Sequence, residues 1–277
     1  MTRIDKAALE DSADEKTGDS IAPSRRRWPL GRLPTALISP LVLLLLWEWG
    51  GASGYVNTQF FPAPSTIGAK FVELIGTAQF WDDLFISLKR MAVGFVLGGV
   101  PGLFLGLAMG LFRPVRTVFQ PLVASLYPLP KIAILPLILL IFGIGETSKY
   151  VIVAIGVFFL MTINTMAGVL NVPRIYFDVA KNLKASRWKI YTTVALPGAL
   201  PGIFTGIRVC TGVALLILVA AEFVGADSGI GYRIWWSWSV FWVDNMYVGF
   251  AVIALLGFLS AYLVDWLERK FLPWQGQ

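Results

Sequence analysis

Histidine is absent from the 277-residue sequence, and cysteine occurs once, as Cys210. A single cysteine rules out a disulfide within the chain, and a zinc site built from histidine and cysteine is ruled out with it. Acid–base catalysis by histidine is excluded as well. Charged residues are scarce, at 14% of the chain, where soluble domains carry about 25%. We therefore expect no catalytic residue, no metal and no cofactor.

Apolar residues are present in excess. They make up 56% of the chain, and the mean hydropathy is +0.70. A surface this apolar needs lipid rather than water as its solvent. The composition therefore predicts an all-α membrane protein.

Six apolar segments are long enough to cross a bilayer, since a crossing helix takes roughly 20 residues. Residues 1–30 are polar and charged and are predicted to form a disordered cytoplasmic tail before a transmembrane domain over 31–277. The first apolar run could be mistaken for a signal peptide, but the long tail before it and the five later segments favour an uncleaved span. The predicted spans are 33–51, 88–111, 117–143, 149–170, 201–223 and 246–267.

Lysine and arginine are distributed unevenly between the predicted loops. With the N-terminus in the cytoplasm, most of the 23 basic residues fall in cytoplasmic segments, while Lys70, Lys149 and Arg233 fall in outer loops. Positive charge favours the cytoplasmic side of a membrane. We therefore expect both termini in the cytoplasm, and we attribute the net charge of +6 to the flanks of the spans rather than to nucleic-acid binding.

The second predicted span carries a glycine at every fourth position. This spacing keeps neighbouring glycines on one helical face, where a second helix can approach closely. We predict that the row packs helices together and takes no part in chemistry. Its members are Gly94, Gly98, Gly102, Gly106 and Gly110.

Charges at or inside the spans are candidates for a transport pathway, because a buried charge in a membrane is costly. Lys131 lies in a third span interrupted by prolines, and such a stretch must face protein or a water-filled cavity. A lysine that reaches water at the membrane edge is an equally good explanation. The candidate pathway residues are Pro130, Lys131, Arg208 and Glu222.

The basic loop after the fourth span, about residues 171–200, is compatible with a short amphipathic helix. Such a helix would offer Tyr176, Phe177, Ala180 and Leu183 to a groove on a partner. A loop held by lipid headgroups explains the same spacing.

Within this loop the residues resemble the E-A-A-x3-G-x9-I-x-L-P motif of ABC-importer permeases. Asp178, Val179 and Ala180 occupy the first three positions, and Val194-Ala195-Leu196-Pro197 ends the motif. Lys184 stands where the family has glycine. Further stretches, among them 128–137, Gly229-Ile230-Gly231-Tyr232 and Leu272-Pro273-Trp274, are similar to permeases for nitrate, sulfonates, taurine and bicarbonate.

The resemblance implies the type I fold of ABC-importer permeases, with six transmembrane helices, in a bacterial inner membrane. It also implies a second permease copy, two cytoplasmic ATPase subunits that receive the loop helix, and a periplasmic substrate-binding protein. The chain carries no G-x-x-x-x-G-K-[ST] phosphate loop, so we expect ATP hydrolysis in the separate ATPase subunit. The ATPase-coupling residues carried over are Asp178, Val179, Ala180, Leu183, Lys184, Leu196 and Pro197.

The function that we expect is a permease that forms the pathway for a small anion, an aliphatic sulfonate such as taurine, with nitrate and bicarbonate as alternatives. An ion-gradient-driven secondary transporter is the alternative from a different class. Such transporters usually need more intramembrane acids and often carry repeats. Here Glu48, Glu222 and Asp265 lie at or near span ends, and no repeat is visible. An integral-membrane enzyme would need a cluster of His, Asp or Glu, which the sequence does not show.

Overall fold

A computed structural model describes residues 33–276, and every regular element in that range is helical. The predicted tail over 1–30 lies outside the described residues. The chain divides into two compact units between Trp47 and Glu48. In the first unit, the described side chains from Ile38 to Leu46 are all exposed, as expected for an apolar helix that is solvated by lipid.

The helices follow one another through short connections. A 3₁₀ turn spans Lys131–Ile134, and a π-helical turn spans Tyr191–Ala195. In chain order the helices are α1 (Leu33–Ala52), α2 (Pro64–Ile75), α3 (Ala78–Leu111), α4 (Arg113–Leu126), α5 (Leu135–Phe142), α6 (Glu146–Leu170), α7 (Arg174–Asn182), α8 (Arg187–Ile190), α9 (Leu196–Gly225), α10 (Ile230–Ser239) and α11 (Val243–Phe271).

Four helical stretches in the described part of the chain are long and apolar enough to cross a membrane. They are α3, α6, α11 and the stretch Arg187–Gly225, which includes α8, the π-helical turn and α9. Helices α4 and α5 make a fifth candidate, which is bent by 85° at its break. The described apolar part of α1, Ile38–Ala52, is shorter than a crossing helix. The count of six spans therefore stays a prediction.

Helix α3 begins well before the predicted span at 88. The Thr77 hydroxyl caps its first turn by accepting a hydrogen bond from the Phe80 amide at 3.4 Å. Helix α3 therefore includes charged residues that hydropathy had placed in a loop.

The glycine row of α3 faces α6 along most of its length. A methyl group at Gly94 would come within 2.6 Å of the Val153 β-carbon, and one at Gly102 within 2.6 Å of the Phe158 carbonyl oxygen. At Gly98 it would overlap the Ala154 carbonyl. The two helices therefore touch backbone to backbone, and they run parallel, because positions along both rise together.

Helix α9 packs on the other side of α6 in the same close manner. A methyl group at Gly202 would lie 2.5 Å from the Gly168 α-carbon, and one at Gly206 would lie 2.8 Å from the Asn164 β-carbon. Positions on α9 rise as those on α6 fall, so these helices are antiparallel. Helix α6 is thus held between α3 and α9.

These directions define two ends of the bundle. The loop end is where α3 and α6 finish and α9 begins, and it carries residues 171–195. The far end is where α3 and α6 begin and α9 finishes. Because α3 and α6 are parallel, the segment 112–145 between them must return the chain to the far end, as expected of a broken span.

Replacing Gly98 by alanine should destabilise the protein, because the new methyl group has no space beside the Ala154 carbonyl. Overpacking of this kind typically costs about 1–3 kcal/mol, so we expect a clearly lower melting temperature in detergent. The matched control is Gly68→Ala in α2, where a methyl group meets nothing within 4 Å. Equal melting temperatures for the two variants would contradict the packing of α3 on α6.

Candidate functional site

A buried guanidinium joins three helices at the far end. The Arg90 side chain is fully buried, and its Nη1 donates to Glu222 Oε1 at 2.8 Å. Its Nε donates to Glu146 Oε2 at 2.9 Å, and Nη2 donates to the other oxygen of the same carboxylate. Arg90 lies on α3, Glu146 begins α6 and Glu222 lies on α9. One side chain therefore bridges the helices that the glycines bring together.

The same cluster holds the loop between α9 and α10. Arg90 Nη1 donates to the Ser228 carbonyl at 2.7 Å. The first amides of α10 then donate to side chains of the cluster: Gly229 to Asp83 at 2.8 Å, Ile230 to Ser87 at 2.9 Å and Gly231 to Glu222 at 2.8 Å. Amides at a helix N-terminus lack partners within the helix, and carboxylates there are favourable. The start of α10 is thus fixed by acceptors from α3 and α9.

A second ion pair extends the cluster onto α10. Arg233 donates to Asp83 at 2.8 and 3.0 Å, and both side chains are largely buried. Ser87 in turn donates to Glu222 at 2.8 Å. Spacings of four and three residues place Asp83, Ser87 and Arg90 on one face of α3. We call the group Asp83, Ser87, Arg90, Glu146, Glu222, Ser228 and Arg233 the Arg90 cluster.

Of the predicted pathway residues, Glu222 belongs to this cluster. Its side chain is completely buried, and both carboxylate oxygens accept hydrogen bonds from protein groups. Arg90 falls at the start of the predicted span 88–111 and is missing from the predicted pathway residues. The polar residues at 83, 87 and 90 share one helical face and could have indicated the cluster. The predicted span began at 88, so it included Arg90 and left Asp83 and Ser87 in a loop.

Arg208 pairs with the last span. Its Nε donates to Asp265 of α11 at 2.9 Å, and its Nη2 contacts both Asp265 and Glu268. These side chains are partly exposed, unlike Arg90. The guanidinium therefore links α9 to α11 in the half of the bundle that is closer to the loop end.

Lys131 lies at the break in the third predicted span. Its ammonium donates to the carbonyls of Leu126, Tyr127 and Leu129 at 2.8–3.0 Å. These carbonyls lose their helical partners where α4 ends before Pro130, and a cation at a helix C-terminus is favourable. Lys131 also lines a mainly apolar cavity of about 500 Å³ between α3, α6 and the break.

The loop end carries the amphipathic helix that the sequence predicts, α7. Ile175, Tyr176, Val179 and Leu183 form an exposed apolar stripe along it. Ala180 lies beside this stripe, four residues after Tyr176, and is half-buried. Pro197 lies in the first turn of α9, where proline is tolerated.

Helix α7 ends in a Schellman turn despite the lysine at the glycine position. Lys184 has a φ of 52°, its amide donates to the Lys181 carbonyl at 2.8 Å, and the Ala185 amide donates to the Ala180 carbonyl at 3.0 Å. Glycine is the usual residue here, because a side chain in this conformation costs about 1–2 kcal/mol. The turn of the family motif is therefore present, with a strained residue in it.

Comparison with known proteins identifies the family. The model of the binding-protein-dependent transport system inner membrane component matches residues 102–274, well over half of the chain. The chain belongs to this family of transport permeases. The permease is thus a transporter component of an inner membrane.

Two relatives align with nearly the whole permease. It is 36% identical to the putative aliphatic sulfonates transport permease protein SsuC of Bacillus subtilis, over 92% of this chain and 91% of the relative. It is 35% identical to the taurine transport system permease protein TauC of Escherichia coli, over 91% and 94% of the two chains.

Solved structures show that the fold is that of ABC-importer permeases. A chain of the inward-facing MetNI methionine ABC transporter matches with a TM-score of 0.60 at 20% identity, over 68% of the permease and 94% of that chain. A chain of a bacterial ABC transporter for the acidic polysaccharide alginate matches with a TM-score of 0.61 at 14% identity, over 86% and 95%. The predicted type I permease fold is confirmed.

Replacing Arg90 by methionine should destabilise the permease strongly, because it leaves Glu222 buried without a cation. Loss of one partner of a buried pair typically costs about 3–5 kcal/mol. Thermal unfolding in detergent should show this, and combining the change with Glu222→Gln should cost less than the sum of the two single changes.

The control is Arg113→Met, since Arg113 is exposed at the start of α4. A loss of stability no greater in Arg90→Met than in Arg113→Met would contradict the bridging role of Arg90.

Proposed function

We propose that this permease carries aliphatic sulfonates such as taurine across the inner membrane as a subunit of an ATP-driven importer. The supporting observation is that relatives named for these substrates align with at least nine-tenths of both chains. The alignment therefore includes the helices around any pathway and the loop end alike.

The loop end faces the cytoplasm in this proposal, and both termini lie there. The support is the charge of the loop: Arg174, Lys181, Lys184, Arg187 and Lys189 are all exposed, with Asp178 as the acid of α7. Positive charge favours the cytoplasmic side. The far end, where charges are paired within the Arg90 cluster, then faces the periplasm and the binding protein.

Two copies of the permease form the pathway, and two ATPase subunits dock on the coupling loop, residues 171–200. The exposed stripe of α7 supports this, because an apolar helix face of this kind fits a groove on a partner. Leu196 and Pro197 then begin α9, so a displacement of α7 reaches α9 through one short segment.

Movement of α7 would be passed to the bundle as a rigid-body rotation. Helices α3, α6 and α9 touch through glycine, and such closely packed contacts transmit displacement rather than absorb it. When ATP draws the ATPase subunits together, the two coupling loops approach each other and the pathway switches between its two openings.

Among the pathway candidates, we assign Lys131 and the neighbouring Pro130 to the lining of the route. Lys131 is a cation that lines a cavity beside the broken span. Arg208 and Glu222 act in this proposal through the helices that they link, since both are engaged with protein partners.

Taurine uptake should require both ATP and an intact α7 stripe. In proteoliposomes with the cognate ATPase and binding protein, Val179→Lys should abolish uptake and ATPase co-purification, because a charge enters the apolar face. The control is Lys181→Gln, which changes an exposed residue on the opposite face of α7 that already pairs with Asp178, and it should leave both intact.

Uptake that continues without ATP, or normal docking of Val179→Lys, would contradict the proposed function. Uptake of nitrate in place of taurine would contradict only the proposed substrate and would leave the proposed role as an importer permease intact.

A further inference from the structure

Lys184 occupies a conformation that glycine would adopt without strain. Its φ of 52° and the two backbone hydrogen bonds around it close α7 with a Schellman turn. A β-carbon in this region crowds the following carbonyl, and glycine avoids that contact. The turn itself therefore gains nothing from the lysine side chain.

The side chain also gains nothing from the rest of the described chain. Lys184 is exposed and forms no ion pair with any described residue, whereas the neighbouring Lys181 lies 3.7 Å from Asp178. Its ammonium is thus left free beside Leu183, which is 77% exposed and ends the apolar stripe of α7.

Charge complementarity indicates what this ammonium meets. The exposed surface over 174–189 holds five basic residues and one acidic residue. A partner that covers the apolar stripe must therefore carry acidic groups at its rim, because like charges across an interface are strongly unfavourable.

We propose that Lys184 is a specificity-determining contact to the ATPase subunit, pairing with a carboxylate at the edge of the groove that receives α7. This inference rests on the proposed docking of α7. A strained lysine at the end of the helix then exchanges some stability of the turn for recognition of the correct partner.

Three substitutions separate the charge from the backbone conformation. Lys184→Gly removes both the charge and the strain, Lys184→Asn removes the charge with a residue that tolerates positive φ, and Lys184→Arg keeps the charge. The full-length permease in nanodiscs of zwitterionic lipid is titrated with its cognate ATPase subunit at several salt concentrations.

We expect Lys184→Arg to bind like the wild type, and both other variants to bind about tenfold more weakly at low salt. The difference should shrink as salt rises, because exposed charges are screened. Lys184→Gly should meanwhile melt at the same or a higher temperature than the wild type, which shows that weaker binding does not come from a damaged turn.

Equal or tighter binding by Lys184→Gly would overturn the inference. So would weaker binding that appears only in nanodiscs of anionic lipid, since the charge would then serve the lipid surface. The Val179→Lys variant distinguishes the two proposals. If Val179→Lys and the Lys184 variants all bind the ATPase normally, the proposed docking of α7 is wrong. If Val179→Lys loses binding and the Lys184 variants keep it, only the proposed role of Lys184 is wrong.

Discussion

The close contact of α6 with α3 on one side and α9 on the other is the constraint on which the rest of the permease depends. Helices in lipid gain little from burying apolar side chains against one another, so they associate where small residues let backbones meet. The glycines of α3 and α9 provide that surface against α6. The contact fixes the directions of three helices and thereby separates the loop end from the far end.

The two ends use charge in opposite ways. At the far end, Arg90 is completely buried and is satisfied by two carboxylates and a carbonyl. Such a group is costly in a membrane unless it is paired. At the loop end the basic residues are exposed, where they are available to lipid headgroups or a partner. The buried charges of the far end link the helices of the bundle, and the exposed charges of the loop end form a surface that a partner can bind.

The sequence predicted the features that follow from local rules. The four-residue spacing of glycines predicted the face of α3 that packs on another helix. The length of the apolar segments predicted where the later spans lie, and the family motif predicted the position of α7. The Arg90 cluster could not be predicted in this way, because its members are separated by up to 150 residues in the chain. Hydropathy also rejects charged residues from a span, although pairing makes them acceptable inside one.

The turn at Lys184 shows a different limit. Lys184 stands where the family motif has the glycine that would end α7. The structure retains the hydrogen bonds of the turn and places the lysine at positive φ. Propensity alone ranks such a residue as unfavourable, and only the structure shows that its side chain is exposed.

The central claim is that the loop between α6 and α9 faces the cytoplasm, where an ATPase can act on it. The single native cysteine, Cys210, is completely buried, so a cysteine introduced at Lys189, which is exposed in this loop and lies outside the apolar stripe, can be labelled with little background. In intact spheroplasts a membrane-impermeant maleimide should leave this position unmodified, and it should react after the membrane is opened. Labelling from outside in intact spheroplasts would contradict the account.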